Sequence, residues 1–197
     1  MVDSKYMEGN TAQQILDVAQ DMVRNRGYSA FSYADISEQI GIRKASIHYH
    51  FPSKEELVRK LVQHYREALS RKCDRIAQSL ASPQQQLMQF VNLYRDGLKQ
   101  GQICLCAMLT ADFAVLPQAV QEEVRAFFHQ TEAWLALLLK CGCEANVWQC
   151  YPSVEVEAKG LIALLQGAQL LARTAEDSTA AFEQIVIPIL SGKLPNE

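Results

Sequence analysis

Apolar residues recur along this chain at helical intervals from one end to the other. Ile15, Leu16, Ala19, Met22 and Val23 fall on one stripe of a helix. That helix is expected to start near Asn10 and Thr11, where Thr11 and Gln14 have capping-box spacing, and to stop at Gly27 after Arg24 and Arg26. Ser32 with Asp35 opens a second helix in which Tyr33, Ile36 and Ile40 share a face, and Gly41 can close it in a left-handed conformation. A short third helix is expected over 43–50. Ser53 with Glu56 then opens a long one over 54–80, with Leu57, Leu61, Val62, Tyr65, Ala68, Leu69 and Ile76 on one side. Ser82 and Pro83 start the next, which carries Leu87, Phe90, Val91, Tyr94 and Leu98 and ends at Gly101. Residues 103–116 are apolar almost all round and are expected to be buried on most sides. Pro117 leads into a helix reaching about Cys141, and two last helices are expected over 154–173 and 178–190. Pro188 should kink or end the final one. Neither hairpin dipeptides nor sustained alternation occur, so no strand is predicted. The predicted fold is all-α with about nine helices. It divides into an N-terminal three-helix domain over 1–53 and a helical domain over 54–197, linked by the helix at 54–80.

The second and third helices, joined at Gly41, read as a helix-turn-helix. The third is too short to stand alone and must lean on its neighbours. Its outward residues, Arg43, Lys44, Ser46, His48, Tyr49 and His50, are nearly all donors or cations, a surface that suits the DNA major groove. Overall charge does not advertise this role. The chain carries a net −3, and residues 1–60 balance eight Lys/Arg against eight Asp/Glu. Phosphate neutralisation dominates DNA affinity, so what counts is placement. Arg43, Lys44 and Lys54 lie in or beside the short helix, and no acid falls between Glu38 and Glu55.

A hydrophobic content of 49% with 21% charged residues is that of a globular protein with an ample core. No run of about 18 apolar residues predicts a membrane span. The first residues lack an apolar signal core, which predicts a cytoplasmic chain. In that reducing setting the six cysteines (73, 104, 106, 141, 143 and 150) are expected as buried or reactive thiols rather than disulfides.

Gly27, Tyr28, Ser32, Asp35-Ile36, Gly41-Ile42, Ser46-Ile47, His50-Phe51, Lys54 and Leu57 together meet an extended pattern. This segment resembles the DNA-binding domain of the TetR/AcrR family of transcriptional repressors, over roughly the first third of the chain. The resemblance implies a repressor that binds a palindromic double-stranded operator as a homodimer, and that a small-molecule effector acting on the C-terminal domain releases. It implies a phosphate contact at Ser32, base-edge and phosphate contacts from Arg43, Lys44, Ala45 and Ser46, and a phosphate-binding Lys54. Tyr49 and His50 match the family's aromatic/His pair. His48 stands where the family usually has tyrosine, and Ala34 where it often has arginine.

The segment 101–112 resembles a family subgroup that responds to electrophiles and oxidants, with Cys104 at the position of the sensing thiol. A thiol in the first turn of a helix gains thiolate character from the macrodipole. The other reading makes Cys104 and Cys106 small hydrophobes lining a buried pocket. Cys104-x-Cys106 and Cys141-x-Cys143, with Cys150 nearby, lack both the usual zinc spacing and a flanking histidine, so no metal or cofactor is expected. Tyr94, Met108, Phe113, Trp134 and Trp148 are candidate walls of an effector pocket, and each can equally be core. His129 and Glu132 make no catalytic dyad, and the chain is not expected to be an enzyme. A thiol enzyme or metal protein built on Cys104 and Cys106 is the rival reading, and it leaves the helix-turn-helix unexplained. In the family the last two helices form the dimer interface. Here Gly160, Ala163, Gly167 and Ala168 would allow close approach, with apolar area from Phe182, Ile185, Val186, Ile189 and Leu190.

Overall fold

The computed structural model of the protein describes residues 4–148 and 152–192; Cys150 lies outside them. Among the described residues there are nine α-helices, a 3-10 turn and no strand. They are α1 (Ser4–Arg26), α2 (Tyr33–Ile40), α3 (Lys44–His50), α4 (Lys54–Ser79), α5 (Pro83–Lys99), α6 (Leu105–Ala111), α7 (Gln118–Glu144), α8 (Val154–Ala172) and α9 (Ser178–Ser191), with the 3-10 turn Phe113–Val115 between α6 and α7. The all-α expectation holds, and most boundaries fall within a residue or two of those the pattern implies.

Three local expectations need correction, and a fourth, for Pro188, is narrowed. The first helix begins at Ser4, so Thr11 lies inside it and does not cap it. The apolar run 103–116 is not a single buried helix: Asp112 interrupts it, and Ala111, Ala114 and Val115 are exposed. Ser53 does cap α4, accepting from Glu56 N–H, but the Glu56 carboxylate turns away and pairs with Arg59 at 2.8 Å. Pro188 does not end α9, which continues to Ser191.

The chain forms two compact units. One consists of the residues up to Arg66 with Leu105–Ala126, the other of Glu67–Cys104 with the residues from Phe127 on, so α4 and α7 each contribute to both. In the first unit, α1, α2 and α3 pack together over Ile15, Ala19, Val23, Ile36 and Ile47, and α6 packs on α1. In the second, α5, α8 and α9 pack on one another around Phe90, Leu161, Leu165, Phe182 and Val186. Five cysteines in the described chain are free thiols. Among the described residues no helix is long and apolar enough to cross a membrane.

Candidate nucleic-acid interface

The site is built from the turn outward. Ser32 caps α2: its Oγ accepts from Ala34 N–H and donates to Asp35 Oδ2 at 2.6 Å, while Asp35 also accepts from Ser32 N–H. Those bonds hold the Asp35 carboxyl below its usual range. Gly41 then takes φ 78°, a left-handed conformation that a side chain would strain, and its N–H closes on Ser37. Ser37 Oγ donates to Ile42 C=O, which fixes the strand of backbone entering α3.

Helix α3 buries one side chain, Ile47, and is otherwise held by what its neighbours supply. Tyr33 on α2 supplies most of this. Its hydroxyl donates to the Phe51 carbonyl at 2.8 Å, just past the C-terminal end of α3, and its ring meets His48 edge-on at 4.8 Å. Burial, then the nearby Glu56 charge, pushes the Tyr33 phenol up to about 12, so it stays a donor at neutral pH. Its hydrogen bond was invisible in the sequence, where Tyr33 reads as part of an apolar face.

With Ile47 facing in, the outer face of α3 is open. Arg43, Lys44, Ala45, His48 and Tyr49 are exposed, Tyr49 at 72%, and Ser46 and His50 are half-buried. His48 Nδ1 lies 3.3 Å from the Pro52 carbonyl. A carbonyl only accepts, so that bond requires Nδ1–H and leaves Nε2 as the ring's second polar atom. Tyr49 and His50 meet edge-on at 5.2 Å. Lys54, expected as a phosphate ligand, sits differently from a free surface cation. Its Nζ donates to the Phe31 carbonyl at 2.5 Å and lies over the Tyr28 and Phe31 rings at 4.5 and 4.2 Å. Burial lowers its pKa against the raising pull of Asp35 and Asp112. Ser32 likewise has its proton engaged by Asp35.

Behind this surface lies a clasp that sequence reading missed. Asp112 accepts from Tyr28 N–H at 2.7 Å and Ser29 N–H at 3.3 Å, the backbone leaving α1. Gly27 permits it: φ is 84°, and a Cβ there would come within 2.8 Å of Asp112 Oδ2. In the same unit Glu123 of α7 accepts from Gln63 at 2.5 Å and Arg66 at 3.2 Å, both on α4. Pairings of this range leave no periodic trace in a sequence.

The remaining candidates are dispersed. Cys106, Met108 and Phe113 belong to the first unit, with Arg125 over the Phe113 ring at 5.0 Å. Cys104, Tyr94, Trp134 and Trp148 belong to the second. Cys104 precedes α6 rather than opening it, is only 4% exposed, and donates its N–H to Gln169 Oε1 at 2.7 Å. Cys106 is fully buried. Gln169 also donates to the Tyr94 carbonyl, and Gln166 reaches the Tyr94 hydroxyl while its Oε1 has no partner. Tyr94 and Trp134 flank Phe90 at 5.6 and 5.2 Å. Trp148 packs over Gly142, where its ring carbons would lie 1.9 Å from a Cβ, and donates to Leu139 C=O, so it seals the end of α7. Among the described residues no group of three or more His, Cys, Asp or Glu is placed to hold a metal ion.

Of the expected interface residues, Phe182 and Val186 are 1% and 0% exposed and fill the core of the second unit. Ile185 is half-buried, Ile189 exposed. Gly160 and Gly167 have nothing within 4 Å of where a Cβ would stand, and Ala163 is exposed between them. Val156, Leu170 and Leu171, which the sequence reading did not single out, are exposed on the same helix.

Residues 15–61, which span this helix-turn-helix, match the model of the bacterial regulatory proteins of the tetR family. A TetR-family transcriptional regulator from Agrobacterium tumefaciens is similar along its whole length, at 34% identity and a TM-score of 0.91 over 95% of this chain and 100% of that one. The chain belongs to the TetR family. More distant TetR-family relatives include the helix-turn-helix transcriptional repressor DhaR of a Mycobacterium species, 24% identical over 93% of this chain and 92% of that protein. The nucleoid occlusion factor SlmA of a Marinomonas species is 26% identical over 78% of each. The regulator is thus a DNA-binding transcription factor whose helix-turn-helix comprises α2 and α3.

Proposed function

We propose that this regulator represses transcription by binding a two-fold operator as a homodimer, with α3 in the major groove and release driven by an effector in the helical C-terminal domain. The observation that carries the reading is the division of α3 into one buried anchor, Ile47, and an outer face of Arg43, Lys44, Ala45 and Tyr49 left open to solvent. Arg43 and Lys44 would supply phosphate or base-edge contacts, Tyr49 an apolar or hydroxyl contact, and His48 Nε2 a further polar group. Lys54 and Ser32, already engaged within the chain, would contribute as backbone-positioning residues; an ammonium keeps spare donors, and Ser32 keeps a lone pair for water.

The second copy fits on α8 and α9. Val156, Gly160, Ala163, Gly167 and Leu171 recur at steps of three and four and share one stripe of α8. An exposed apolar stripe on a folded chain marks an interaction surface. Its glycines are not required by packing within the protomer, since nothing lies near their missing Cβ atoms. Ile187 and Ile189 extend the apolar surface on α9.

For the effector, the polar cluster of Tyr94, Gln166 and Gln169 offers an attachment in the second unit. A buried amide oxygen without a partner costs stability, and a donor group on a ligand would satisfy it. Effector binding then shifts the population toward an arrangement that fits the operator less well, in proportion to its differential affinity. The experiment is a titration of duplexes tiled across the regulator's own promoter region at low salt. A two-fold sequence retained by one dimer is the expected result; no sequence preference in any tile contradicts the proposal.

A further inference from the structure

Away from the DNA-binding face and the Tyr94 cluster, α4 and α5 line an open groove of about 460 Å³ in the second unit. Its floor is apolar, formed by Ile76, Leu80 and Leu93, and its polar rim by Lys72, Arg75, Ser79 and Gln89. The size lies within the range of small-molecule sites.

The rim is one-sided in charge. None of the residues lining the groove is Asp or Glu; Asp96, the acid of α5, lies outside the lining and pairs with Lys99 at 3.2 Å and Arg95 at 3.8 Å. Asp74 is exposed on α4, and the helical repeat turns it away from the face that carries Lys72, Arg75, Ile76 and Ser79. The ion pairs of α4 involve Arg59, Arg66 and Arg71, and neither Lys72 nor Arg75 has a carboxylate partner among the described residues. Two cations one helical turn apart therefore stand beside apolar surface with no carboxylate paired to them among the described residues.

The groove is also preformed. Gln86 Nε2 donates to the Leu80 carbonyl at 2.5 Å and fixes the turn between the two helices, and Ser79 Oγ donates back to the Arg75 carbonyl at 2.6 Å. With its proton engaged, Ser79 can only accept, while the Gln89 amide nitrogen makes no bond in the groove and can donate. On the α4 side the cations lie toward the middle of the helix and Leu80 just past its end, while Leu93 comes from α5. An anion at the end of α4 would meet the negative pole of the helix, so the head belongs at Lys72 and Arg75.

We propose that this groove binds a single-chain anionic amphiphile, with its acidic head on Lys72 and Arg75 and its apolar tail over Ile76, Leu80 and Leu93. Guanidinium and ammonium groups both pair with carboxylate and phosphate, and the apolar floor rewards a tail that a bare inorganic anion lacks. The site needs neither DNA nor the effector cluster at Tyr94.

The test is calorimetric titration of the full-length protein, without DNA, with octanoate, monooctyl phosphate and octanol. The expected result is that at least one anionic probe binds more tightly than octanol. Whichever head group is preferred assigns the source as a carboxylate or a phosphate ester. In Lys72→Gln/Arg75→Gln the anionic probe should weaken by about tenfold, as expected for losing two exposed charge contacts, with octanol unchanged. Leu93→Asn should weaken all three, and circular dichroism of both variants should match the native chain, since the altered side chains are exposed or half-buried. Octanol binding as tightly as both anions, or an anion binding equally to the double variant, overturns the proposal.

Discussion

Helices α3 and α8 each leave one face open to solvent, and the two faces are opposites. That of α3 is polar and cationic, on seven residues with a single buried anchor. That of α8 is apolar, on nineteen residues whose other side buries Ala158, Leu161, Ile162, Leu165 and Ala168. A helix as short as α3 has no stability of its own and is positioned by Ile47, by the Tyr33 hydroxyl and by the turn at Gly41. A helix as long as α8 is secured by its own buried side, so its exposed stripe is free to be chosen for another purpose. Changes on the open face of α3 should therefore alter DNA binding with little effect on folding. Changes on the open stripe of α8 should alter assembly with little effect on the protomer.

The largest expected effect comes from filling the α8 stripe. In Gly160→Leu/Gly167→Leu the added Cβ atoms meet nothing within 4 Å in the protomer, and leucine is a better helix former than glycine, so the melting temperature of the monomer should hold or rise. The dimer should dissociate in sedimentation velocity, and with two half-sites no longer bound together, operator affinity should fall by roughly 100-fold or more. A variant that stays dimeric on the same operator would break the contrast at the α8 end.

Next is the clasp behind α2 and α3. Asp112→Ala removes a carboxylate from the amides of Tyr28 and Ser29, each charge-assisted bond contributing about 1.5–3 kcal/mol. Chemical denaturation should show a loss of that order for the first unit. Operator affinity should fall too, since α1 would no longer be held where α2 begins. Unchanged stability would mean the clasp is incidental to how α3 is carried.

The smallest effect sharpens the dependence of α3 on α2. Tyr33→Phe deletes the hydrogen bond to Phe51 C=O and should cost about 1 kcal/mol. It should also change the alkaline response. The Tyr33 phenol is raised to about 12 in the folded chain, so its contribution is fully present below the ordinary tyrosine value near 10. That contribution disappears as pH rises from about 10 to about 12, and the variant's melting curve should be flatter across that window. Parallel curves would show that Tyr33 does not titrate with the fold.

The helix-turn-helix was legible because its signals are local. A capping serine, its acid three residues on, a glycine that must turn left-handed and one buried position in a short helix all lie within a few residues. The rest of the site depends on distant partners. Asp112 is more than eighty residues from the amides it clasps, and in sequence it lies inside the apolar run 103–116. Lys54 reads as a phosphate ligand by position, yet its ammonium is turned onto Phe31, a choice set by two aromatic rings that no spacing encodes. In the last helices the apolar residues were legible, but which of them face inward was not. Phe182 and Val186 fill the core, while Val156, Leu170 and Leu171 remain outside. A helix apolar on more than one side does not say which side its own chain will cover.

The central claim, that the open face of α3 reads DNA, is tested most directly by salt dependence. Fluorescence anisotropy would follow the operator duplex against the native protein and Arg43→Ala/Lys44→Ala from low to physiological salt. The side chains are exposed, so the variant should fold and dimerise like the native chain. Its affinity should fall, and the slope of log K against log salt should flatten by about one for each phosphate contact removed. Equal affinity and an equal slope in the two proteins would contradict the account.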